Sequence, residues 1–233
     1  MQVAVAGYKG RMGQMLVKEL QSGDWPALAY ATGTVPGDNP EQLFSADIII
    51  DFTTPAATRQ HIWLAAKHHK PLIIGTTGLT AADMQEMRDA ARECPLLFSA
   101  NMSIGVNLLA ALVEQAAARL GPAYDIEILE THHHYKADAP SGTALMLGKA
   151  TGRPSALPDR SGTRTPGSVG YAVQRGGDVV GEHTVSFFGP GERIELGHRA
   201  HDRSLFAKGA LRATQWLSDQ PYGLYSMRDV LGL

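Results

Sequence analysis

Five short apolar runs alternate with helix-like patterns through the first hundred residues, and this alternation constrains the fold more than any other feature of the chain. The runs are Gln2 to Ala6, Leu28-Ala29-Tyr30, Ala46 to Phe52, Pro71 to Gly75 and Leu96 to Ser99. Continuous apolar runs of this length suit strands covered on both faces, as in a parallel sheet. Helical spacing follows the first run at Met15, Leu16 and Leu20, and the third through His61 and Leu64. Thr80 followed by Asp83 marks a further helix start, with a hydroxyl as N-cap and an acid in the first turn. Strand and helix in strict alternation predict an α/β, doubly wound parallel sheet.

The first run ends in Gly7-Tyr8-Lys9-Gly10-Arg11-Met12-Gly13, so strand, glycine-rich turn and helix follow in order. A dinucleotide pyrophosphate needs this order: glycines let the backbone approach, and the amides of the helix start receive the charge. The glycines fall at 7, 10 and 13, with Tyr8 where G-x-G-x-x-G would place its first glycine. The reading is a Rossmann-like nucleotide site with Gly7, Tyr8, Lys9, Gly10, Arg11 and Met12 as contacts. The second run ends in Ala31-Thr32-Gly33-Thr34, without the acid that holds a ribose or an arginine for an added phosphate. Both NADH and NADPH therefore stay open as coenzymes, with Lys9 and Arg11 in position either to meet a phosphate or to be solvated. Ligands of such sheets bind beyond the carboxyl ends of the strands. Phe52, then Gly75, Thr76 and Thr77, then Ser99, Ala100, Asn101 and Met102 occupy three successive ends and are expected to line the coenzyme channel.

Beyond Gly105 to Leu120, an apolar helix stopped by Gly121-Pro122, the alternation changes. A Gly/Pro/Ser-rich stretch from 152 to 167 precedes three closely spaced strand-like runs, Tyr171 to Gln174, His183 to Phe188 and Ile194 to Ala200. These predict a smaller α+β domain with a mixed or antiparallel sheet. A helical run, Leu205 to Leu217, closes the chain. The expected division is residues 1–104 with 201–233 for the dinucleotide, and 105–200 for substrate binding and oligomerisation, the exposed face of the second sheet making the oligomer contact. Phe187, Phe188, Trp216, Trp63 and Trp25 are expected to serve packing.

Composition narrows the function classes. With 44% hydrophobic and 19% charged residues the chain is globular, and a net charge of −2 gives no reason to expect nucleic acid or a membrane surface as partner. Cys94 is the single cysteine, which removes an internal disulfide and a thiolate-only metal site. The N-terminal residues have no signal-peptide pattern and no apolar run has the length of a membrane span, so a cytoplasmic location is expected.

The densest chemistry lies in residues 127–144, EILETHHHYKADAPSGTA. Strand alternation would put His132, His134 and Lys136 on one face, but a loop before Lys136 is expected to break that parity, leaving open which histidines converge. Pro140 ends any preceding helix and Ser141 is a good N-cap, so Gly142 and Thr143 open a helix whose first amides suit a carboxylate or phosphate. Lys136 adds positive charge, and a histidine beside it exchanges protons near neutrality. Together they describe an anionic-substrate pocket with a proton source. Adjacent histidines point apart and match no common zinc spacing, so no metal is expected. His183, His198 and His201 receive no role.

The pattern Glu127-Ile128-x-Glu130-x-His132-x-x-x-Lys136-x-Asp138-x-Pro140-Ser141-Gly142-Thr143-Ala144 resembles the signature of the dihydrodipicolinate reductases, also called hydroxy-tetrahydrodipicolinate reductases. The resemblance extends to the Gly7 to Gly13 turn, Asp51-Phe52-Thr53, Gly75-Thr76-Thr77-Gly78, Ser103-x-Gly105-Val106-Asn107 and Arg228-Asp229-Val230-Leu231. It implies NAD(P)H-dependent reduction of 4-hydroxy-tetrahydrodipicolinate, a small cyclic dicarboxylate, to tetrahydrodipicolinate in the diaminopimelate route to lysine. It further implies His132 as proton donor, Lys136 as its support, His133 with Gly142 and Thr143 as holders of the substrate carboxylates, and a homotetramer. The rival readings are a non-catalytic dinucleotide sensor and another two-domain dehydrogenase; a substrate pocket built on Lys136 and the Ser-Gly-Thr turn separates the first of these from the reductase.

Overall fold

The computed structural model describes residues 1–156 and 163–233. The chain forms two compact units, residues 1–104 with 204–233 and residues 105–203. The Gly/Pro/Ser-rich stretch read at 152–167 falls partly outside the described residues. No helix among those described is long and apolar enough to cross a membrane.

The first unit is built on six parallel strands: β1 (Gln2–Ala6), β2 (Ala29–Thr34), β3 (Ile48–Asp51), β4 (Leu72–Ile74), β5 (Pro95–Phe98) and β10 (Gly223–Tyr225). Their order is β10-β5-β4-β3-β1-β2, and every neighbouring pair is parallel. Val3 and Val5, with Ile48, Ile50, Ile73 and Leu97, bury one face against α1 (Arg11–Gln21) and α6 (Ser204–Leu217). Ala4, Ala6, Ile49, Leu72, Ile74 and Leu96 bury the other, joined by Ile62, Leu64 and Ala65 of α2 (Pro55–His68) and Met87 of α3 (Ala81–Ala90). Burial on both faces explains the continuous apolar runs.

The ladder of β2 with β1 runs to Gly33 and Thr34, where the second run ends, and Gly33 packs so closely against β1 and Tyr8 that a Cβ would lie 2.8 Å from the Val5 carbonyl oxygen. Two details depart from expectation. β10 is too short and too glycine-bearing to be read from periodicity, yet it pairs with β5 and precedes α7 (Met227–Leu231). Trp63 does not pack inside; it is 61% exposed, with the Lys67 ammonium 5.2 Å from its ring centroid.

The second unit carries the mixed sheet β7-β6-β8-β9, formed by β6 (Asp125–His132), β7 (Val169–Arg175), β8 (Gly181–Gly189) and β9 (Glu192–Ala200). β6 and β7 are parallel; β6–β8 and β8–β9 are antiparallel. Ile126, Ile128, Val169, Tyr171, Val185 and Phe187 bury one face against α4 (Ile104–Leu120) and α5 (Gly142–Ala150). The alternation along β6 continues past Ile128, so Glu130 and His132 also point to this covered face, at the end where α5 begins.

Candidate active site

In the first unit the strand order reverses between β1 and β3, the place where doubly wound sheets take their ligands. Gly7 follows β1 with φ 71°, and its amide and that of Tyr8 both donate to the Thr34 carbonyl, at 2.9 and 3.2 Å. A Cβ on Gly7 would lie 2.9 Å from Thr53 Cγ2, and one on Gly13 would collide with the Gly7 carbonyl oxygen. Gly10 is the N-cap of α1, whose first turn holds no acid and begins with Arg11. Such a close-wrapped turn, with helix amides and a cation but no carboxylate, fits a pyrophosphate. Gly7 to Gly10 thus form the turn, and Arg11 and Met12 open the helix that follows it.

The ends of β3 and β4 are joined by a buried carboxylate. Asp51 Oδ1 accepts from the Thr53 amide (2.8 Å) and hydroxyl (2.6 Å), and Oδ2 from Thr58 Oγ1 and His61 Nδ1, both at 2.8 Å. Thr58 Oγ1 also lies 2.8 Å from Thr76 Oγ1. The Thr76 side chain therefore turns inward and is buried, while Thr77 beside it is exposed. Gly75 has no room for a side chain because the Phe52 ring lies over it. Beyond β5, Ser99 Oγ donates to the Asn101 carbonyl at 2.7 Å, Asn101 Oδ1 accepts from the Ser103 amide at 2.9 Å, and Met102 is buried. The residues expected to meet the coenzyme lie after four neighbouring strands, β1, β3, β4 and β5, and of them Thr76 and Met102 are buried.

In the second unit β6 ends at His132, and the loop that follows is stitched to the β7–β8 turn: the His133 amide donates to the Val179 carbonyl (2.7 Å), and the Gly176 amide to that of His132 (3.0 Å). This breaks the strand parity before Lys136. His134 turns outward, its Nδ1 2.8 Å from the Gly177 carbonyl. His133 Nε2 lies 3.2 Å from Arg203 Nη2. Lys136 Nζ donates to Asp138 at 2.7 Å, and the lysine holds the Asp138 carboxyl below its ordinary value. Ala139-Pro140 is cis. Ser141 caps α5 by accepting the Ala144 amide at 3.1 Å, so Gly142, exposed, and Thr143, half-buried, form the first turn.

Glu130 is fully buried. Its Oε1 accepts from the Ser141 amide (3.0 Å) and Arg175 Nη2 (2.8 Å); Oε2 accepts from Arg175 Nη1 (2.8 Å) and meets His132 Nδ1. Burial raises the Glu130 carboxyl, but Arg175, His132 and the Ser141 amide outweigh it and hold it low. Burial lowers the His132 pKa, against the opposing pull of Glu130. His183 Nε2 sits 3.0 Å from Ser141 Oγ, its ring edge-on to His132 with centroids 5.1 Å apart; burial pushes its pKa down to about 4.

Comparison with known proteins places the chain. Residues 1–102 match the family model for the dihydrodipicolinate reductase N-terminus, and residues 105–231 match that for the C-terminus. The chain belongs to the dihydrodipicolinate reductase family. It is 48% identical to the 4-hydroxy-tetrahydrodipicolinate reductase of Zymomonas mobilis subsp. mobilis, over 99% of this chain and 97% of that one. It is 46% identical to the same-named reductase of Methylocella silvestris, over 100% and 97%. Among solved structures, the dipicolinate-bound dihydrodipicolinate reductase from Paenisporosarcina sp. TG-14 shares the fold, with a TM-score of 0.81 at 23% identity over 97% of each chain.

For a dihydrodipicolinate reductase, the expected signature residues His132, Lys136, His133, Gly142 and Thr143 all fall in the second unit, around the end of β6 and the start of α5. The sequence reading gave no role to Glu130, which stands in the signature, to Arg175 or to His183. Their signal was cross-strand register: His132 stands opposite Arg175, and Glu130 opposite His183.

Proposed function

We propose that the chain reduces 4-hydroxy-tetrahydrodipicolinate to tetrahydrodipicolinate with His132 as proton donor, the first unit taking the nicotinamide coenzyme and the second the cyclic dicarboxylate. Family membership carries the reaction; the observation that carries the residue roles is the buried His132, held at Nδ1, beside a lysine and a helix N-terminus. The ring 4-hydroxyl is lost as water, and a bound nicotinamide coenzyme would supply the hydride to the ring. Nε2 of His132 then delivers a proton to the adjacent carbon, and Lys136 balances the negative charge that develops before it arrives. The first-turn amides of Gly142 and Thr143 hold one substrate carboxylate and His133 the other. Lys136 exchanges its Asp138 partner for the substrate as it binds. Burial keeps His132 largely neutral at rest, and two substrate carboxylates beside it favour the imidazolium.

Both NADH and NADPH serve as coenzyme. No acid stands at the end of β2 to repel a 2′-phosphate, Asp38 being held to the Val35 amide at 2.8 Å, and Lys9 and Arg11 flank the turn. The assembly is a homotetramer formed through the outer face of the β7-β6-β8-β9 sheet, which exposes Leu129 among small side chains.

Oxidation of NADH and of NADPH with freshly generated cyclic substrate tests the reading. Wild type turns over with both, and His132→Ala and Lys136→Ala each lose at least about a hundredfold in kcat. Near-normal rates in both variants would remove these roles.

A further inference from the structure

We infer that Glu130 is the positioning residue of the site, a single carboxylate that sets the tautomer of His132 and at the same time anchors the anion-holding turn at Ser141. The inference rests on the reading that His132 delivers the proton and that Gly142 and Thr143 hold a carboxylate.

Four donors converge on Glu130, two at each oxygen: the Ser141 amide and Arg175 Nη2 on one, Arg175 Nη1 and His132 on the other. A carboxylate bound bidentately by a guanidinium accepts only. The His132 nitrogen facing it must then carry a hydrogen, so Nδ1 is protonated in both charge states of the ring and Nε2 is the atom that gains and loses the proton. Nε2 packs closely over Gly181. A Cβ on Gly181 would lie 3.0 Å from His132 Nε2 and 3.3 Å from Cδ2.

The other oxygen reaches the second half of the site. Ser141 is gripped at its amide by Glu130 and at its hydroxyl by His183, while the same hydroxyl caps α5. A shift of the Glu130 carboxylate would therefore move the proton donor and the first turn of α5 together. That coupling gives a reason for burying a carboxylate completely.

Two simpler accounts are weaker. A plain β6–β7 ion pair would need only Arg175 and would leave the contacts to His132 and Ser141 without purpose. A metal site is suggested by ligand-type atoms of Glu130, His132 and His183 lying within 4.8 Å of one another. A cation there would have to compete with the Arg175 guanidinium for the Glu130 oxygen it ligates, and the like charge of Arg175 opposes it.

The charged and titratable groups facing His132 are Glu130 on its own strand, Arg175 on β7, His183 on β8 with His198 behind it on β9, and Lys136 with its partner Asp138 in the following loop. Of the charged ones, Glu130 raises the affinity of His132 for a proton, and Lys136 and Arg175 lower it.

The test is Glu130→Gln, compared with His132→Ala and with Gly181→Ala, which alters no charge. Nitrogen-15 NMR of the His132 ring in the coenzyme-free protein is expected to show protonated Nδ1 in wild type and its loss in Glu130→Gln, where the amide NH2 faces Nδ1. Turnover is expected to fall about a hundredfold, the loss of activity with rising pH to begin at lower pH, and KM for the cyclic substrate to rise. Gly181→Ala should lower kcat with Nδ1 still protonated; it keeps the idea testable if Glu130→Gln fails to fold, since unchanged kcat there would deny that Nε2 is placed by this packing. An unchanged tautomer and pH profile in folded Glu130→Gln, with His132→Ala inactive, would overturn the inference and leave Glu130 a structural ion pair. If His132→Ala remains active, the proton-donor reading fails instead, and the tautomer measurement still reports whether Glu130 holds the ring.

Discussion

His183 shows what one buried side chain does to the whole stability profile. It is 4% exposed, touches Ser141 and His132, and has a pKa of about 4 against 6.5 for an ordinary histidine. In the unfolded chain it takes up a proton as pH falls through about 6.5, whereas in the folded protein it does not until about 4. Over that window the unfolded state binds more protons, so stability rises with pH. The contribution is complete above about 6.5 and is lost as pH falls toward 4, at up to about 1.4 kcal/mol per pH unit for one proton. His132 and His198 are lowered as well and act in the same direction. Urea unfolding at several pH values between 4.5 and 7, at fixed protein concentration, is expected to show a shallower pH dependence in His183→Gln than in wild type. Equal slopes would mean that His183 is not held neutral by the fold. The role of this residue was not legible in the sequence: Glu130 and His183 lie 53 positions apart, and only the antiparallel register of β6 with β8 makes them opposite. The signature around His132 was legible because it is contiguous and its residue types are costly to collect without a ligand.

At the scale of elements, the glycine turn and α1 present a conflict between local preference and packing. Gly13 lies inside α1, where alanine would be preferred by about 1 kcal/mol. An added Cβ, however, meets the Gly7 carbonyl oxygen and Tyr8 backbone, which have nowhere to go without opening the turn. Overpacking against fixed backbone costs about 1–3 kcal/mol, so the clash wins. Gly13→Ala is expected to lower the unfolding midpoint and weaken NADH binding, followed by nucleotide fluorescence. A variant with higher stability and unchanged affinity would show that the turn tolerates a side chain there. Strands β1, β3, β4 and β5 were readable because burial on both faces leaves an unbroken apolar run. β10 has three residues and a glycine, and its pairing with β5 is decided by tertiary packing. The Asp51–Thr58–His61 network was equally hidden, since it joins one strand end to a helix turn and then to the next strand through hydroxyls that read as turn chemistry.

For the whole molecule, the question is what covers the outer face of the second sheet. Along one row across it stand Ala172, Leu129, Thr184 and Gly197, three small residues around one leucine that is 40% exposed. Such a row is flat and lets another sheet approach closely. Burying the 40% of the leucine that is still exposed contributes about 1 kcal/mol per copy. In a symmetric, isologous contact each residue is repeated on the partner. If the proposed contact forms through this face, Leu129→Arg would introduce cations in symmetry-related pairs into it, removing the apolar gain and adding repulsion. The covered face of the sheet, where Glu130 and His132 lie, is on the opposite side and is not altered. Light scattering after size exclusion is expected to give four chains of 25.0 kDa for wild type and a smaller species for Leu129→Arg, with the far-UV circular dichroism retained. A tetramer that survives the substitution would place the interface elsewhere, and a wild-type monomer would leave the outer face a solvated surface.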